Sequence, residues 1–247
     1  MKTVLITGAT SGFGEAAARR FVKGGWQVVG TGRRGDRLRA LAEELGDVFL
    51  PLDVDMRDLA AVESLARLES PWGDIDLLLN NAGLAPPTDP LSDTDWHRLE
   101  DVIETNVTGL VALTRAVLPK LIERKGAIIN LSSVAATYPY KGGAVYGGTK
   151  AFVRQFSLDL RSDLHGSGVR VTSIEPGMAE TEFTLVRTGG DEEASRKLYA
   201  GMDPMTAEDI AETIWWVATL SPHLNINALE IMPTNQSFAG FQVHREG

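Results

Sequence analysis

The chain of 247 residues has no cysteine. That excludes a disulfide framework, a thiolate nucleophile and a zinc–thiolate centre. Its four histidines, His97, His165, His223 and His244, are scattered without ligand spacing, so no metal site is expected. No apolar run approaches the ~20 residues of a membrane span. Met1-Lys2 leads straight into the apolar Thr3-Val4-Leu5-Ile6 rather than into a signal peptide. The expected location is therefore cytoplasmic, with no membrane partner. Positive charge is scarce: 24 Lys and Arg stand against 33 Asp and Glu, a net charge of −9. Such a surface repels nucleic acid, and any anionic ligand must be met by a local cluster of cations.

Short apolar runs are present in regular alternation with helical patterns. Val4 to Thr7, Gln27 to Thr31, Val48 to Leu52, Ile75 to Leu79, Ala127 to Leu131, Val169 to Ile174 and Leu229 to Met232 read as strands. Phe13 to Lys23, Arg37 to Leu45, Leu59 to Leu68, Asp95 to Glu123, Ala144 to Leu164 and Ala207 to Leu220 read as helices. Strands that are apolar almost throughout, separated by helices, belong to a parallel sheet covered on both faces. The expected fold is α/β, a Rossmann-type doubly wound parallel sheet of about seven strands. Residues 1–247 are expected to form one domain, with ligands bound at the carboxyl ends of the strands where strand order reverses. A polar stretch running to Pro204 holds Thr188-Gly189-Gly190, a hinge for a lid over about 180–204.

The first strand runs into Thr7-Gly8-Ala9-Thr10-Ser11-Gly12-Phe13-Gly14 and then an Ala-rich helix. Gly8 permits a tight exit from the strand, and Gly12 and Gly14 let the backbone approach a pyrophosphate at the helix amino terminus. The spacing is G-x-x-x-G-x-G rather than G-x-G-x-x-G. The second strand ends at Thr31-Gly32-Arg33-Arg34, with no acid until Asp36. A carboxylate there would suit the ribose hydroxyls of NAD; two guanidiniums suit a 2′-phosphate, which favours NADP(H). Asp53-Val54 after the third strand could hold the adenine edge, although an Asp there is also a common helix cap. Asn80-Asn81-Ala82-Gly83 closes the fourth strand; its amides could bind ribose or brace neighbouring turns.

Tyr146-Gly147-Gly148-Thr149-Lys150 carries the chemistry, with Ser133 thirteen positions upstream. Residues four apart share one helix face, so the Lys150 ammonium could pull the Tyr146 phenol from its usual pKa of about 10 towards working pH. A serine hydroxyl beside it could hold a carbonyl or alcohol oxygen. An ordinary helix pair has the same spacing, and only the surrounding motifs favour the chemical reading.

Taken in order, the glycine loop, Asn80-Asn81-Ala82-Gly83, Ser133 and Tyr146 with Lys150 resemble the short-chain dehydrogenase/reductase family over essentially the whole chain. Asn106 in the long helix and Pro176-Gly177 followed by Thr181 are similar to further family positions. Tyr146 to Leu160, Trp215 to Leu220, Asn225-Ile226-Asn227 and Gln236 to Gly240 look similar to its NADP-dependent 3-hydroxy acid dehydrogenase branch. The resemblance implies that Tyr146 exchanges the proton, Lys150 holds the nicotinamide ribose and acidifies Tyr146, Ser133 holds the substrate oxygen, and Asn106 supports a water relay. It implies that Gly8, Thr10, Ser11, Gly12, Phe13 and Gly14 surround the pyrophosphate, and that Arg33 and Arg34 meet the 2′-phosphate. Pro176, Gly177, Met178 and Thr181 would cover the nicotinamide. Serine, allo-threonine, or 3-hydroxypropionate and malonic semialdehyde are the implied substrates. Sulfoacetaldehyde reduction and a catalytically silent NADP(H)-binding regulator are the alternatives. Either substrate is an anion, and Lys141, Arg187, Arg196 and Lys197 are the cations available to meet it, with Tyr140 and Met178 as wall residues. The family also implies a homotetramer paired through long helices, here 112–121 and 152–164. Phe238 and Phe241 suggest a docked tail, and Trp215-Trp216 a core or interface pair.

Overall fold

The computed structural model describes residues 1–238; the expectation that Phe241 and the end of the chain dock lies outside them. The first strand, β1 (Thr3–Thr7), passes through the glycine loop into α1 (Gly12–Lys23). Then come β2 (Gln27–Gly32), α2 (Gly35–Leu45), β3 (Phe49–Asp53), α3 (Leu59–Ser64) and β4 (Ile75–Asn80). After these follow α4 (Trp96–Ile103), α5 (Leu110–Arg124), β5 (Ala127–Leu131), α6 (Ala144–Asp163) and β6 (Arg170–Pro176). The chain continues through α7 (Glu182–Arg187), α8 (Glu192–Tyr199), α9 (Ala207–Ala218) and β7 (Ala228–Ile231). The seven strands form one sheet in the order β3-β2-β1-β4-β5-β6-β7, and every pairing is parallel.

Alternation along single strands explains the two layers. In β1, Val4 and Ile6 point into a core with Phe21, Val28, Ile210 and Ile214, under α1, α2 and α9. Leu5 points the other way, into a core with Val29, Leu113, Val117, Ile128 and Leu160, under α3, α5 and α6. Burying such a side chain contributes about 1.5–3 kcal/mol, and all five residues of β1 are buried. Trp215 belongs to the first core, edge-on to Phe21 at 5.3 Å, while its neighbour Trp216 is exposed.

Strand order turns between β1 and β4, and a cleft opens beyond their carboxyl ends. Two departures from the sequence reading shape it. The helix expected over Asp95 to Glu123 forms continuously from Trp96 to Arg124, but a π-type turn, Glu104–Gly109, widens it between α4 and α5. Gly109 packs so tightly there that a Cβ would come within 2.2 Å of the Met56 carbonyl oxygen. Such a turn is a common feature of functional sites. The polar stretch to Pro204 folds into α7 and α8; Asp191 caps α8 by accepting from the Ala194 N–H at 2.9 Å. This excursion is pinched at its base, where Ala179 bridges Met205 and Glu180 N–H donates to the Met205 carbonyl at 2.8 Å.

Candidate active site

The cleft has a volume of about 420 Å³ and runs from the end of β2 to the start of α6. At one end lies the glycine loop. Gly8 and Gly12 take φ of 70° and 54°, left-handed values that a side chain would strain. Gly14 lies against the loop itself: a Cβ would sit 2.2 Å from the Gly8 carbonyl oxygen. Ser11 stands at the N-cap of α1 but makes no side-chain cap. The first N–H groups of this helix are therefore left for an anion. Asn81 holds the loop in place, its amide donating to the carbonyls of Thr7 at 2.8 Å and Gly8 at 3.1 Å. Arg33 and Arg34 close this end, with Val54 and Asp55 beside them.

At the other end Tyr146, Ser133 and Lys150 line the same cleft, all buried. Tyr146 and Lys150 lie on one face of α6, with the ammonium 5.7 Å from the centre of the phenol ring. Ser133 enters from the end of β5, on a short 3-10 turn whose Ala135 N–H donates to its Oγ at 3.1 Å. The roof comes from the far side of the chain: Pro176, Gly177, Thr181 and Phe183 line the cleft, and the Phe183 ring stands 5.9 Å from that of Tyr146.

A family model described as short chain dehydrogenase matches residues 2–189. The chain belongs to the short-chain dehydrogenase family. Among proteins of known activity it is similar to serine 3-dehydrogenase of Agrobacterium fabrum, 64% identical over 99% of this chain and 98% of the relative. It is also similar to the NADP-dependent 3-hydroxy acid dehydrogenase YdfG of Escherichia coli K12, 53% identical over 98% and 99% of the two chains. A solved structure described as the closed form of serine dehydrogenase complexed with NADP⁺ superposes with a TM-score of 0.96 at 53% identity, covering 99% of this chain and all of that one.

In this short-chain dehydrogenase several expected residues stand outside the cleft walls. Asn80 is in the core, its amide donating to Thr114 Oγ1 at 3.0 Å and Asn130 Oδ1 at 2.8 Å. Asp53 is exposed; the strand ends there, and Asp55, two residues on, reaches the cleft instead. Asn106 is buried behind the wall in the π-type turn. It donates to the Leu84 carbonyl at 2.9 Å and Thr149 Oγ1 at 3.0 Å, and accepts from the Leu84 N–H at 2.8 Å. Met178 donates its N–H to Gln236 Oε1 at 2.7 Å. Lys141 is exposed on the turn before α6, away from the cleft, and Arg196 and Lys197 are likewise on α8 rather than in its wall. Arg187 is not a wall residue either, yet its guanidinium lies 5.7 Å from the Tyr146 ring centre. Met56, Leu84, Ala85, Thr105 and Phe183 are also in the wall and carry no sequence motif.

Burial dominates the electrostatics of this pair. Burial pushes the Tyr146 phenol up to about 12, against the opposing pull of Ser133 and Arg187. Burial pushes Lys150 down to about 8. Its ammonium, 5.7 Å from the phenol ring centre, donates to the Leu131 carbonyl at 2.7 Å. Both groups are desolvated, and desolvation disfavours phenolate and ammonium alike. Lys150 Nζ and Asn106 Oδ1 flank Gly83, where a Cβ would lie 3.3 and 3.4 Å from them.

Proposed function

We propose that the chain is an NADP(H)-dependent oxidoreductase interconverting a short 3-hydroxy acid of the serine class and its aldehyde or keto acid. The carrying observation is the convergence of Tyr146 and Ser133 at one end of a cleft whose other end is an uncapped helix N-terminus beside Arg33. The residues fit the dinucleotide. Gly8 and Gly12 line the pyrophosphate stretch without side chains, Arg33 is exposed at the mouth, and Gly83 leaves room beside Lys150. Gly8, Thr10, Ser11 and Phe13 would hold the pyrophosphate, Val54 the adenine edge, Asn81 and Ala82 the adjoining wall, and Lys150 the nicotinamide ribose. Pro176, Gly177 and Thr181 would cover the nicotinamide.

Bound there, NADP(H) supplies the hydride chemistry and, when oxidised, a positive ring. Tyr146 gives the substrate oxygen its proton in reduction and takes it back in oxidation. Ser133 holds that oxygen by hydrogen bond, which favours the charge that develops on it. Arg187 meets the substrate's carboxylate, while Lys141 is too exposed to do so. Asn106 keeps the wall around Leu84 and Thr149 in register with α6, and a water relay through Lys150 would pass beside Gly83. Segment 180–204 acts as a lid. We further propose one domain over 1–247, a cytoplasmic location and a homotetramer. Ile122 on α5 and Phe152 on α6, both exposed, support helix pairing between subunits, and among the described residues no helix is long and apolar enough to cross a membrane.

A substrate panel with NADP⁺ and serine, allo-threonine or 3-hydroxypropionate, and with NADPH and malonic semialdehyde or sulfoacetaldehyde, tests this reading. Turnover with the hydroxy acids and malonic semialdehyde is expected. A higher kcat/KM for sulfoacetaldehyde would move the assignment to a sulfonate, and turnover with none would leave a silent dinucleotide-binding protein.

A further inference from the structure

The two arginines that end β2 are not equivalent. Arg34 spends its guanidinium on partners within the chain. Its Nε donates to Thr10 Oγ1 at 3.2 Å, and its Nη2 to Thr10 Oγ1 at 2.9 Å and Ser11 Oγ at 2.7 Å. Its Nη1 donates to Glu182 Oε2 at 2.8 Å. Arg37, one turn into α2, forks onto both oxygens of the same carboxylate at 2.8 Å each. Glu182 is the first residue of α7, and its neighbour Thr181 covers Gly12, where a Cβ would lie 3.5 Å from the Thr181 Cβ. Glycine loop, β2–α2 corner and α7 thus meet at one carboxylate, 148 residues from Arg34 in sequence. Arg33 differs: it is exposed, lines the cleft and makes no hydrogen bond among the described residues. The acid beside it, Asp55, is already taken by Arg57 at 2.7 Å.

We infer that Glu182 is a latch fastening α7 across the cleft to Arg34 and Arg37, and that Arg34 is a positioning residue of this latch while Arg33 alone reads the 2′-phosphate. The inference rests on the dinucleotide reading above. Two cations hold the Glu182 carboxyl down at about 2, Arg37 having the larger effect, so the latch stays charged at any working pH. Its side chains are part-exposed, at 37%, 44% and 26% for Arg34, Arg37 and Glu182. Ion pairs this open to water are weak and sensitive to salt, as a lid that must reopen in every turnover requires. The latch touches no part of the site where NADP and NAD differ if Arg33 is the phosphate's partner. It therefore governs retention of both dinucleotides equally.

Stopped-flow release of NADPH and NADH, followed by their fluorescence, separates the roles. Glu182→Gln and Arg37→Ala are each expected to speed release of both dinucleotides by about fivefold, with the NADPH-to-NADH preference unchanged. Raising KCl should speed NADH release from the unaltered enzyme but not from Glu182→Gln, a difference that a general loosening of the fold would not produce. Arg33→Ala should weaken NADPH by about tenfold or more through the lost charge-assisted contact, and leave NADH unchanged. Release from Glu182→Gln at the unaltered rate would overturn the latch. A fall in NADPH preference in Arg34→Ala, with NADH unaffected, would return Arg34 to the phosphate. If the unaltered protein bound neither dinucleotide, the reading of the cleft itself would fall, and the latch with it.

Discussion

Arg187 stands over Tyr146, its guanidinium 5.7 Å from the ring centre, while its Nη2 donates to the Tyr140 hydroxyl at 2.8 Å. Phe183, one turn earlier on α7, faces the same phenol. A cation beside a phenol favours its ionised form. Arg187 exerts that pull on the buried phenol, and Lys150, whose ammonium donates to the Leu131 carbonyl, stands at the same distance from the ring. Arg187 Nε is buried without a hydrogen-bond partner, a donor that a bound anion could satisfy.

Arg187→Met should therefore raise KM for a carboxylate-bearing aldehyde by about tenfold or more, the loss of one charge-assisted contact. A small neutral aldehyde should be affected much less. Steady-state kinetics on the pair decides it, and equal losses on both would mean that Arg187 acts only through packing.

Ionisation of Tyr146 should depend on the dinucleotide. With burial holding its pKa near 12, the phenol should stay protonated through the alkaline range in the free protein. With NADP⁺ bound beside it, the pKa should fall. Ultraviolet difference spectra of the unaltered protein minus Tyr146→Phe, titrated with and without NADP⁺, measure this directly. Identical titrations would show that the nicotinamide charge does not reach the phenol.

Lys150 makes a stability prediction whose sign follows from its depressed pKa. Burial lowers it from 10.5 to about 8, so between those pH values the unfolded chain holds a proton that the folded chain has released. Stability then rises with pH across that window, and below it the cost of the buried charge is present in full, on the order of 3 kcal/mol. Tyr146, raised above 10, contributes the opposite slope only at higher pH. Thermal unfolding should show Tm climbing from pH 8 towards 10 in the unaltered protein. Lys150→Met should be more stable at neutral pH and lack that climb. A parallel climb in the variant would contradict the assignment.

Much of this was legible in the sequence, for identifiable reasons. The sheet is readable because Val4, Leu5 and Ile6 must all be buried on opposite faces, which leaves near-continuous apolar strands. The glycine loop is readable because its chemistry is local. Which acid lines the cleft, Asp53 or Asp55, depends on where β3 ends, and no local pattern gives that. Neither the π-type turn around Asn106 nor the Glu182 pairing with Arg34 and Arg37 has a local signal; both arise from contacts between segments far apart in the chain. Spacing gives the distance from Tyr146 to Lys150 but not the burial of either group or the hydrogen bond to Leu131.

Gly14 offers a test of the loop's packing. A methyl added there would lie 2.2 Å from the Gly8 carbonyl oxygen and 2.5 Å from the Asn81 amide nitrogen. Gly14→Ala should destabilise the protein by about 1–3 kcal/mol and weaken dinucleotide binding, read by thermal unfolding and by NADPH fluorescence titration. Unchanged Tm and unchanged binding would mean that the loop is looser than its contacts imply.

The most direct test of the central claim is turnover by Tyr146→Phe, followed as the absorbance of reduced nicotinamide with NADP⁺ and serine and with NADPH and malonic semialdehyde. Loss of the proton donor should lower kcat by about a hundredfold to ten-thousandfold, with NADPH affinity close to that of the unaltered protein. Substantial turnover without this hydroxyl would contradict the account.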